Sequence, residues 1–452
     1  MLNNFVKKIF FATAFIVLFV GCNDPIDPVY PEIIEREIEN ESLTDEELLD
    51  LVQERTFQYF WDGAEPVSGM ARERYHIGGD FSRDIVTSGG SGFGIMGLIV
   101  GIERGYITRD EGVERLDQIV DFLSSADRFH GVWPHWINGK TGRVQPFSER
   151  DNGGDLVETA FLIQGLITAK QYLKDGNEAE QKIAEKINTL WLEVEWDWYR
   201  QGEQNVLYWH WSPNHGWAMN HAIRGYDEAL IIYVLAAASP THSIPAEVYH
   251  EGWARNGNIK ANFTSYGYDL SLRHNGAGQF GGPLFWSHYS FLGLDPRNLE
   301  DEYANYWEHN VNHTLINRAY CISNPLGYEG YGENSWGLTA SYSIDGYSAH
   351  SPYNDLGVIT PTAALSSIPY TPEYSMDAMR YFYEEHGQKL FGKYGFYDAF
   401  SETENWFPDR YLAIDQGPIV VMIENYRSGL LWDLFMSNED VQNGLDKLGF
   451  SY

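Results

Sequence analysis

Residues 153–169 read GGDLVETAFLIQGLITA, and the part that follows the two glycines and Asp155 is apolar almost throughout. A helix that is apolar on all sides must be buried, whereas an amphipathic helix lies at the surface. Five further stretches share this character, and each follows a loop that carries glycine or an acidic residue: 89–102, 225–238, 333–341, 354–368 and 415–426. Together the six stretches predict six buried helices.

Charged, amphipathic segments separate the apolar stretches, for example 108–125, 177–199 and 371–390. Six buried helices that alternate with outer helices predict an all-α fold, the double ring of helices called an (α/α)6 barrel. Because the spacing is irregular, a tandem all-α solenoid is the alternative architecture. No linker rich in proline, glycine and serine interrupts residues 43–452, so this range is predicted to be one domain.

The composition excludes one large class of partner. The 452 residues include 64 acidic and 31 basic side chains, which gives a net charge of −33. Phosphate backbones are held by lysine and arginine, so we expect no nucleic-acid partner. Aromatic residues make up 15% of the chain, more than a core of this size needs.

The N-terminus has the pattern of a bacterial lipoprotein signal. Lys7 and Lys8 precede an apolar run, residues 9–20, which is shorter than the ~20 residues that span a bilayer. The run ends at Cys22 in a sequence that resembles a lipoprotein cleavage box. We therefore expect a signal peptide over 1–21, a tether over 22–42, and an exported lipoprotein in the periplasm or on the outer-membrane surface of a Gram-negative bacterium. Only Cys321 would remain as a free thiol.

The loops that enter the six apolar stretches are rich in acidic and aromatic residues. Inner helices of such a barrel share one direction, so these loops meet at one end, here called the mouth. Carboxylates and aromatic rings together are typical of a carbohydrate cleft, where rings stack on sugars and two carboxyl groups hydrolyse the bond. The candidate substrate-binding residues are Arg83, Trp133, Trp136, Trp209, Trp211, His215, Trp217, Trp336, Tyr347 and Trp406.

Asp155 and Glu158 lie one turn apart and have two interpretations. As N-cap and third helical residue they would form a capping box, as Thr44 and Glu47 do by pattern. Asp151 lies four residues before Asp155, however, and the helix that follows is predicted to be buried. Buried acids raise one another's pKa, which suits a general acid.

Two further acidic positions begin apolar stretches. In the pair Asp227 and Glu228, one residue can cap the helix while the other points inward. Glu228 shares a helix face with buried positions, so we expect it to be the more buried of the two. Asp415 begins the last apolar stretch, where capping and catalysis are equally consistent with the pattern.

The histidines do not match a metal site. His210, His215 and His221 lie five and six residues apart, unlike the i, i+4 pair of a helical zinc motif, so we expect no metal. Residues 92–97 read GFGIMG and match GxGxxG, but no strand precedes them. Their spacing favours close helix packing, and we expect no cofactor.

Several long motifs resemble one known family. They include DNGGDLVETAFLIQGL (151–166), LYWHWSPNHGWAMNHAIRGYDEALIIYVL (207–235) and ENWFPDRYLAIDQGPIVVM (404–422). These stretches resemble the glucoamylase-like family, and more closely glycoside hydrolase family 144, the bacterial β-1,2-glucanases. The resemblance extends over nearly all of residues 43–452. It implies an (α/α)6 barrel, inverting hydrolysis of β-1,2-glucan and products that contain sophorose.

The resemblance also implies a set of catalytic acids: Asp151, Asp155, Glu158, Glu228 and Asp415. Our hypothesis is that Glu228 protonates the glycosidic oxygen. Asp415 or one of the Asp151, Asp155 and Glu158 group would activate water, and inversion needs carboxyl groups ~6.5–9.5 Å apart.

Two other functions stay open at this stage, a β-1,2-glucan transglycosylase and a non-catalytic surface glycan-binding lipoprotein. The protein is expected to be a monomer. Whether cleavage is endo or exo does not follow from the sequence, because it depends on the loops that close one end of the cleft.

Overall fold

Helices dominate the computed structural model, which describes residues 43–452. The predicted signal peptide and tether, with Cys22, lie outside the described residues. Within the described range there are twelve α-helices: α1 (Asp45–Trp61), α2 (Ser88–Glu103), α3 (Arg109–Ser125), α4 (Leu156–Leu173), α5 (Glu178–Leu192), α6 (Leu230–Ala238), α7 (Tyr306–Ser323), α8 (Pro361–Leu365), α9 (Pro372–Leu390), α10 (Ala413–Arg427), α11 (Leu430–Met436) and α12 (Glu439–Leu448).

Six buried segments form the inner ring. They are α2, α4, α6, the two 3-10 turns Leu284–Ser287 and Tyr289–Phe291, α8 and α10. Glycine permits the closest approach: a Cβ on Gly165 would lie 2.1 Å from the carbonyl oxygen of Gly92, so α4 and α2 meet backbone to backbone. The ring closes where α10 packs against α2, with Gly417 against the Phe93 side chain.

Outer segments alternate with the inner ones along the chain. They are α1, α3, α5, the π-helical turn Val248–Trp253, α7 and α9, and α11 and α12 follow. Capping boxes begin α1, α3 and α5, so the predicted capping role of Thr44 is confirmed. The alternation of six inner and six outer segments confirms the predicted (α/α)6 barrel.

Two details of the inner ring differ from the prediction. Residues 333–341 are not a helix: Gly337 has φ +130°, and Ala340 begins a strand. The place in the ring is taken instead by residues 284–291, which we did not predict because Ser287, His288 and Ser290 interrupt the apolar pattern. These polar groups are buried with partners; for example, Nε2 of His288 lies 2.9 Å from Oγ of Ser367.

Short strands shape the connecting loops, and few were expected from the sequence. They are β1 (Arg74–His76), β2 (Ile85–Thr87), β3 (Trp136–Asn138), β4 (Val144–Gln145), β5 (Gly154–Asp155), β6 (His210–Trp211), β7 (Lys260–Ser265), β8 (Tyr268–Leu272), β9 (Ala340–Ser343), β10 (Gly346–Ala349), β11 (Phe391–Gly392), β12 (Gly395–Phe396) and β13 (Arg410–Leu412). Antiparallel pairing of β5 with β6 sets Asp155 opposite His210, and pairing of β1 with β13 holds the entry to α10. The strands therefore position the starts of inner helices.

Residues 44–452 form one compact unit. A single large hydrophobic core runs through the inner ring and the inward faces of the outer helices. Among the helices of the described range, none combines the length and the apolar character that a bilayer-spanning helix needs.

Candidate active site

The acidic residues gather where the inner segments begin. Asp155 and Glu158 belong to the start of α4, Glu228 precedes α6, and Asp415 lies in the first turn of α10. In the ring of six, α6 is the third segment and α10 the sixth, so these two helices face each other across the barrel. Glu228 and Asp415 thus lie at the starts of opposite segments of the inner ring.

Asp155 caps α4 and does more than cap. Its Oδ1 accepts hydrogen bonds from the backbone N–H groups of Val157 and Glu158, both at 3.0 Å. Its Oδ2 lies 3.1 Å from Nδ1 of His135. One carboxylate therefore serves both the helix start and the site.

Glu158 does not complete the capping box that its spacing suggested. Its Oε2 instead accepts from the backbone N–H of Gly89 at 2.8 Å and from the Thr87 hydroxyl at 3.2 Å. A Cβ on Gly89 would lie 2.6 Å from that oxygen, so glycine permits the contact. Glu158 thus ties the start of α4 to the start of α2.

His135 carries the positive charge among these acids. Burial by itself would lower the pKa of its imidazole, but Glu158 and Asp155 outweigh this and raise it to about 9. Burial, together with Asp155 and Glu158, raises the pKa of Asp151 to about 7. Burial by itself would raise the pKa of Asp155, but the hydrogen bond from His135, the charges of His210 and His135 and the backbone N–H of Glu158 together outweigh it and lower the pKa of that carboxyl. At neutral pH the group contains an ionised Asp155, a protonated His135 and a titrating Asp151.

Three of these side chains could also hold a cation. One ligand atom from each of His135, Asp151 and Asp155 lies within 4.8 Å of the other two. Carboxylate oxygen and imidazole nitrogen suit divalent ions, but the histidine must be neutral to bind. His135 is protonated below about pH 9 and hydrogen-bonded to Asp155, so a cation would have to displace that proton. The arrangement favours the ion pair over a metal centre.

Asp227 and Glu228 divide their roles. Oδ1 of Asp227 accepts from the backbone N–H of Ala229 at 2.9 Å, and Oδ2 accepts from the Asn275 amide at 2.9 Å. Asp227 is buried and Glu228 is half-buried, so our expectation that Glu228 is the more buried of the two was wrong. Because Asp227 is bound by backbone and amide donors, Glu228 is left to face the cleft.

Glu228 is held in its protonated form. Burial raises the pKa of its carboxyl well above the usual range, and the neighbouring charges of Asp227, Glu158 and Asp155 raise it further. Its backbone carbonyl accepts a hydrogen bond from the hydroxyl of Ser290, which fixes the turn. A carboxyl that keeps its proton at a cleft is the arrangement that a general acid requires.

Asp415 does not cap α10, and capping is excluded as its explanation. Leu412 is the N-cap, and neither carboxyl oxygen of Asp415 accepts a hydrogen bond from a donor in the described residues. Its neighbour is Asp398, whose carboxyl lies close enough to form a hydrogen bond with that of Asp415. Two carboxylates have no donor between them, so this bond requires one of the pair to hold a proton.

Both Asp398 and Asp415 are buried. Burial raises the pKa of Asp415 well above its usual range and that of Asp398 to about 6, and the like charges oppose full ionisation. Oδ2 of Asp398 also accepts from the backbone N–H of Tyr342 at 2.6 Å. Asp398 was not predicted, since no acidic pattern or helix start marks it.

Two tryptophans that we predicted to bind sugar do not line the cleft. Trp133 and Trp336 are both fully buried, at 0% exposure, so those two predictions were wrong. The indole N–H of Trp133 donates to the backbone carbonyl of Leu123 at 3.2 Å, and the Arg128 guanidinium lies over its ring. Both rings therefore belong to the core.

The other predicted binding residues remain accessible to different degrees. Trp136, Trp209, Trp211, Trp217 and Trp406 are half-buried, and Arg83, His215 and Tyr347 are exposed. Trp209 packs against two imidazoles, with ring centroids 5.6 Å from His210 and 5.0 Å from His221. Burial of its hydroxyl raises the pKa of Tyr347, and the nearby Asp415 carboxyl raises it further. Their roles in sugar binding stay predictions.

Three residues of the site escaped the sequence analysis: His135, Asp398 and Tyr289. His135 follows a tryptophan-rich loop and could have been found from its neighbours Trp133 and Trp136. Tyr289 lies in the unpredicted inner segment 284–291. Burial raises the pKa of its hydroxyl well above the usual range, and the nearby charges of Asp415, Glu228 and Glu158 raise it further.

The chain is similar in sequence and in structure to several known proteins. Residues 220–439 match the family described as "Putative glucoamylase". The chain is similar to an endo-β-1,2-glucanase of Chitinophaga pinensis, solved with sophorotriose and glucose: the two are 65% identical, with a TM-score of 0.90, over 91% of this chain and 99% of that one. A Bacteroides caccae structure with the same glucoamylase description is 62% identical, with a TM-score of 0.89, over 90% of this chain and 100% of the other.

A third relative differs in length. The exo β-1,2-glucooligosaccharide sophorohydrolase (non-reducing end) of Parabacteroides distasonis is 48% identical over 427 residues, which are 90% of this chain. This chain spans 58% of the length of that relative.

Proposed function

We propose, from the premise that this chain belongs to glycoside hydrolase family 144 within the glucoamylase-like family, that it hydrolyses β-1,2-glucan. One observation carries the proposal: the buried acids meet at the mouth of a chain that is 65% identical to a β-1,2-glucanase over 99% of that enzyme. The products would be sophorose or short sophoro-oligosaccharides.

Glu228 is the proposed general acid. A group that donates a proton to the glycosidic oxygen must carry that proton at the working pH. Burial and the adjacent Asp227 keep the pKa of Glu228 high, which leaves it protonated near neutrality. Asp227 is itself engaged by Ala229 and Asn275, so it cannot take this role without breaking the turn.

Asp415 is the proposed base. Both oxygens of Asp155 are engaged, by backbone N–H groups and by His135, and Oε2 of Glu158 is bound by Gly89 and Thr87. Both oxygens of Asp415 are free of hydrogen-bond donors from the described residues. Asp398 and Asp415 share one proton, and Asp415 acts as the base from the state in which Asp398 holds it, accepting a proton from water directly or through a substrate hydroxyl. Glu228 and Asp415 begin opposite segments of the inner ring, and inversion requires their carboxyl groups to lie ~6.5–9.5 Å apart.

Internal cleavage is the proposed mode. The Chitinophaga enzyme, an endo-β-1,2-glucanase, shares more of its sequence with this chain than the exo-acting Parabacteroides relative does, 65% against 48%. We therefore expect mixed oligosaccharides early in the reaction rather than sophorose alone.

The test is incubation with linear β-1,2-glucan, with products resolved over time and the anomer followed by NMR. Wild type is compared with Glu228→Gln, and a β-1,3-glucan serves as the control substrate. Reducing ends in proportion to bonds cut, with the α-anomer formed first, would support inverting hydrolysis. Chain redistribution without new reducing ends would indicate a transglycosylase. Binding of glucan without any product would leave a non-catalytic glycan-binding protein.

We further propose that the protein is an exported lipoprotein attached through Cys22 and that it is monomeric. The lipid anchor is supported by the pattern of residues 1–22, in which two lysines and an apolar run precede Cys22. Mass spectrometry of the mature N-terminus from cell membranes, for wild type and Cys22→Ser, tests the anchor. An unmodified wild-type Cys22 would refute it. The molar mass of residues 43–452 in solution, measured by analytical ultracentrifugation, tests whether the protein is monomeric.

A further inference from the structure

Tyr289 lies in the fourth segment of the inner ring, in the turn Tyr289–Phe291. Its ring packs against Phe93 of α2, Phe161 of α4 and Phe285, with centroids 5.2, 5.6 and 4.9 Å away. Only 5% of the residue is exposed. The side chain therefore crosses the barrel towards the first and second inner helices and is held by aromatic packing.

The hydroxyl of Tyr289 is a buried donor without a partner. No atom of residues 43–452 forms a hydrogen bond with it. Buried hydroxyl groups are almost always paired, because an unpaired one loses its hydration without compensation. Such a group in a cleft therefore needs an explanation.

Other buried tyrosines in the same barrel show the usual arrangement. Tyr226 donates to Oδ1 of Asn310 at 2.8 Å, Tyr233 to the carbonyl of Ile223 at 2.7 Å, and Tyr370 to the carbonyl of Ser287 at 2.9 Å. The barrel thus supplies acceptors to its structural tyrosines. Tyr289 differs from them in position as well, because it lies among the acids.

The surroundings keep this phenol a donor. Burial raises its pKa well above the usual range, and Asp415, Glu228 and Glu158 add to the effect. The phenol stays protonated wherever the enzyme is folded and active. Asp415 and Glu228 are the two groups proposed to act on the scissile bond, so the O–H lies beside the reacting atoms.

We infer that the Tyr289 hydroxyl contacts substrate, donating a hydrogen bond to a hydroxyl oxygen of the glucosyl unit held between Glu228 and Asp415; this rests on the proposed function. A bound glucan unit carries several hydroxyl oxygens that can accept a hydrogen bond from this O–H. The bond forms when substrate binds, so it stabilises the complex and not the free protein.

The test is Tyr289→Phe, which keeps the ring and removes the O–H. We expect kcat/KM on linear β-1,2-glucan to fall by about 10- to 100-fold, because one hydrogen bond near the reacting atoms is lost. We expect Tm to stay level or rise, because no internal bond is broken. Tyr249→Phe is the matched control: its hydroxyl donates to Asp301 in the outer layer, so Tm should fall and kcat/KM should stay within about twofold.

Two results would overturn the inference. One is wild-type kcat/KM in Tyr289→Phe, and the other is a Tm loss equal to that of Tyr249→Phe, which would show an internal partner. If wild type fails to cut the glucan, the proposed function is wrong, and the inference is then judged by the Tm shift that sophorose causes. A smaller shift in the variant would support the contact, and an equal shift, or none in either protein, would refute it.

Discussion

Asp155 and His135 form one unit: Oδ2 of Asp155 lies 3.1 Å from Nδ1 of His135, while Oδ1 caps α4. The carboxylate that begins a buried helix is therefore also the counter-ion of the single imidazolium identified among these acids. Capping and site electrostatics do not compete here, because a carboxylate has two oxygens and each serves one purpose.

This unit makes stability depend on pH. The pKa of His135 is about 9 in the folded protein and 6.5 in the reference state, so its stabilisation is fully present below about pH 6.5 and is lost as pH rises through 9. We expect His135→Gln to lower the free energy of unfolding by about 2 kcal/mol near pH 6 and by much less near pH 10. Urea unfolding at the two pH values measures this. An equal loss at both would contradict the ion pair.

Removal of the proposed acid should abolish turnover without unfolding the protein. We expect Glu228→Gln to reduce kcat by about 10²- to 10⁴-fold, since the amide cannot protonate the leaving oxygen. Tm should hold or rise, because a costly buried carboxyl is replaced by a neutral group of the same shape. Circular dichroism and thermal melting provide the control. A variant that retains a tenth or more of wild-type kcat would remove Glu228 from this role.

The carboxyl pair predicts a shift in the pH profile. Asp398→Asn removes the like charge beside Asp415 and offers an amide donor in its place, so the pKa of Asp415 should fall. The acidic limb of kcat/KM should then move down by about one pH unit or more. Asp409→Asn, a change at an exposed neighbour, should leave the limb in place. Lower activity with an unmoved limb would mean that Asp398 acts only in the structure.

Exposure separates binding aromatics from core aromatics. Tyr347→Ala should raise KM several-fold with little effect on Tm, because Tyr347 is exposed beside Asp415. Trp133→Ala should cost about 3–5 kcal/mol of unfolding free energy, as the loss of a fully buried ring does. Glucan titration calorimetry and thermal melting separate the two effects. Unchanged KM in Tyr347→Ala would exclude it from binding.

The inner ring could be predicted where local pattern and burial agree. The stretches around α2, α4, α6 and α10 are apolar on all sides, and such helices have no stable place except a core. The fourth segment could not be predicted, because His288 and its neighbouring serines give the segment a polar pattern. They can be buried only because the fold supplies hydrogen-bond partners that are distant in sequence, such as Ser367 for His288. Residues 333–341 were wrongly predicted to be a helix because their composition is apolar. Gly337 has a positive φ there, which a helix does not allow.

The sequence by itself determined five of the six inner segments of the ring, the acids at their starts and the capping part of Asp155's role, because helix period and end chemistry are local. Only the tertiary structure decided that Asp398 pairs with Asp415, that His135 offsets Asp155, that Trp133 and Trp336 are core residues, and that the hydroxyl of Tyr289 faces the acids. Each of these depends on atoms brought together by the closure of the ring. The protonation of a carboxyl depends on burial and on its neighbours in space, and neither is a property of a position along the chain.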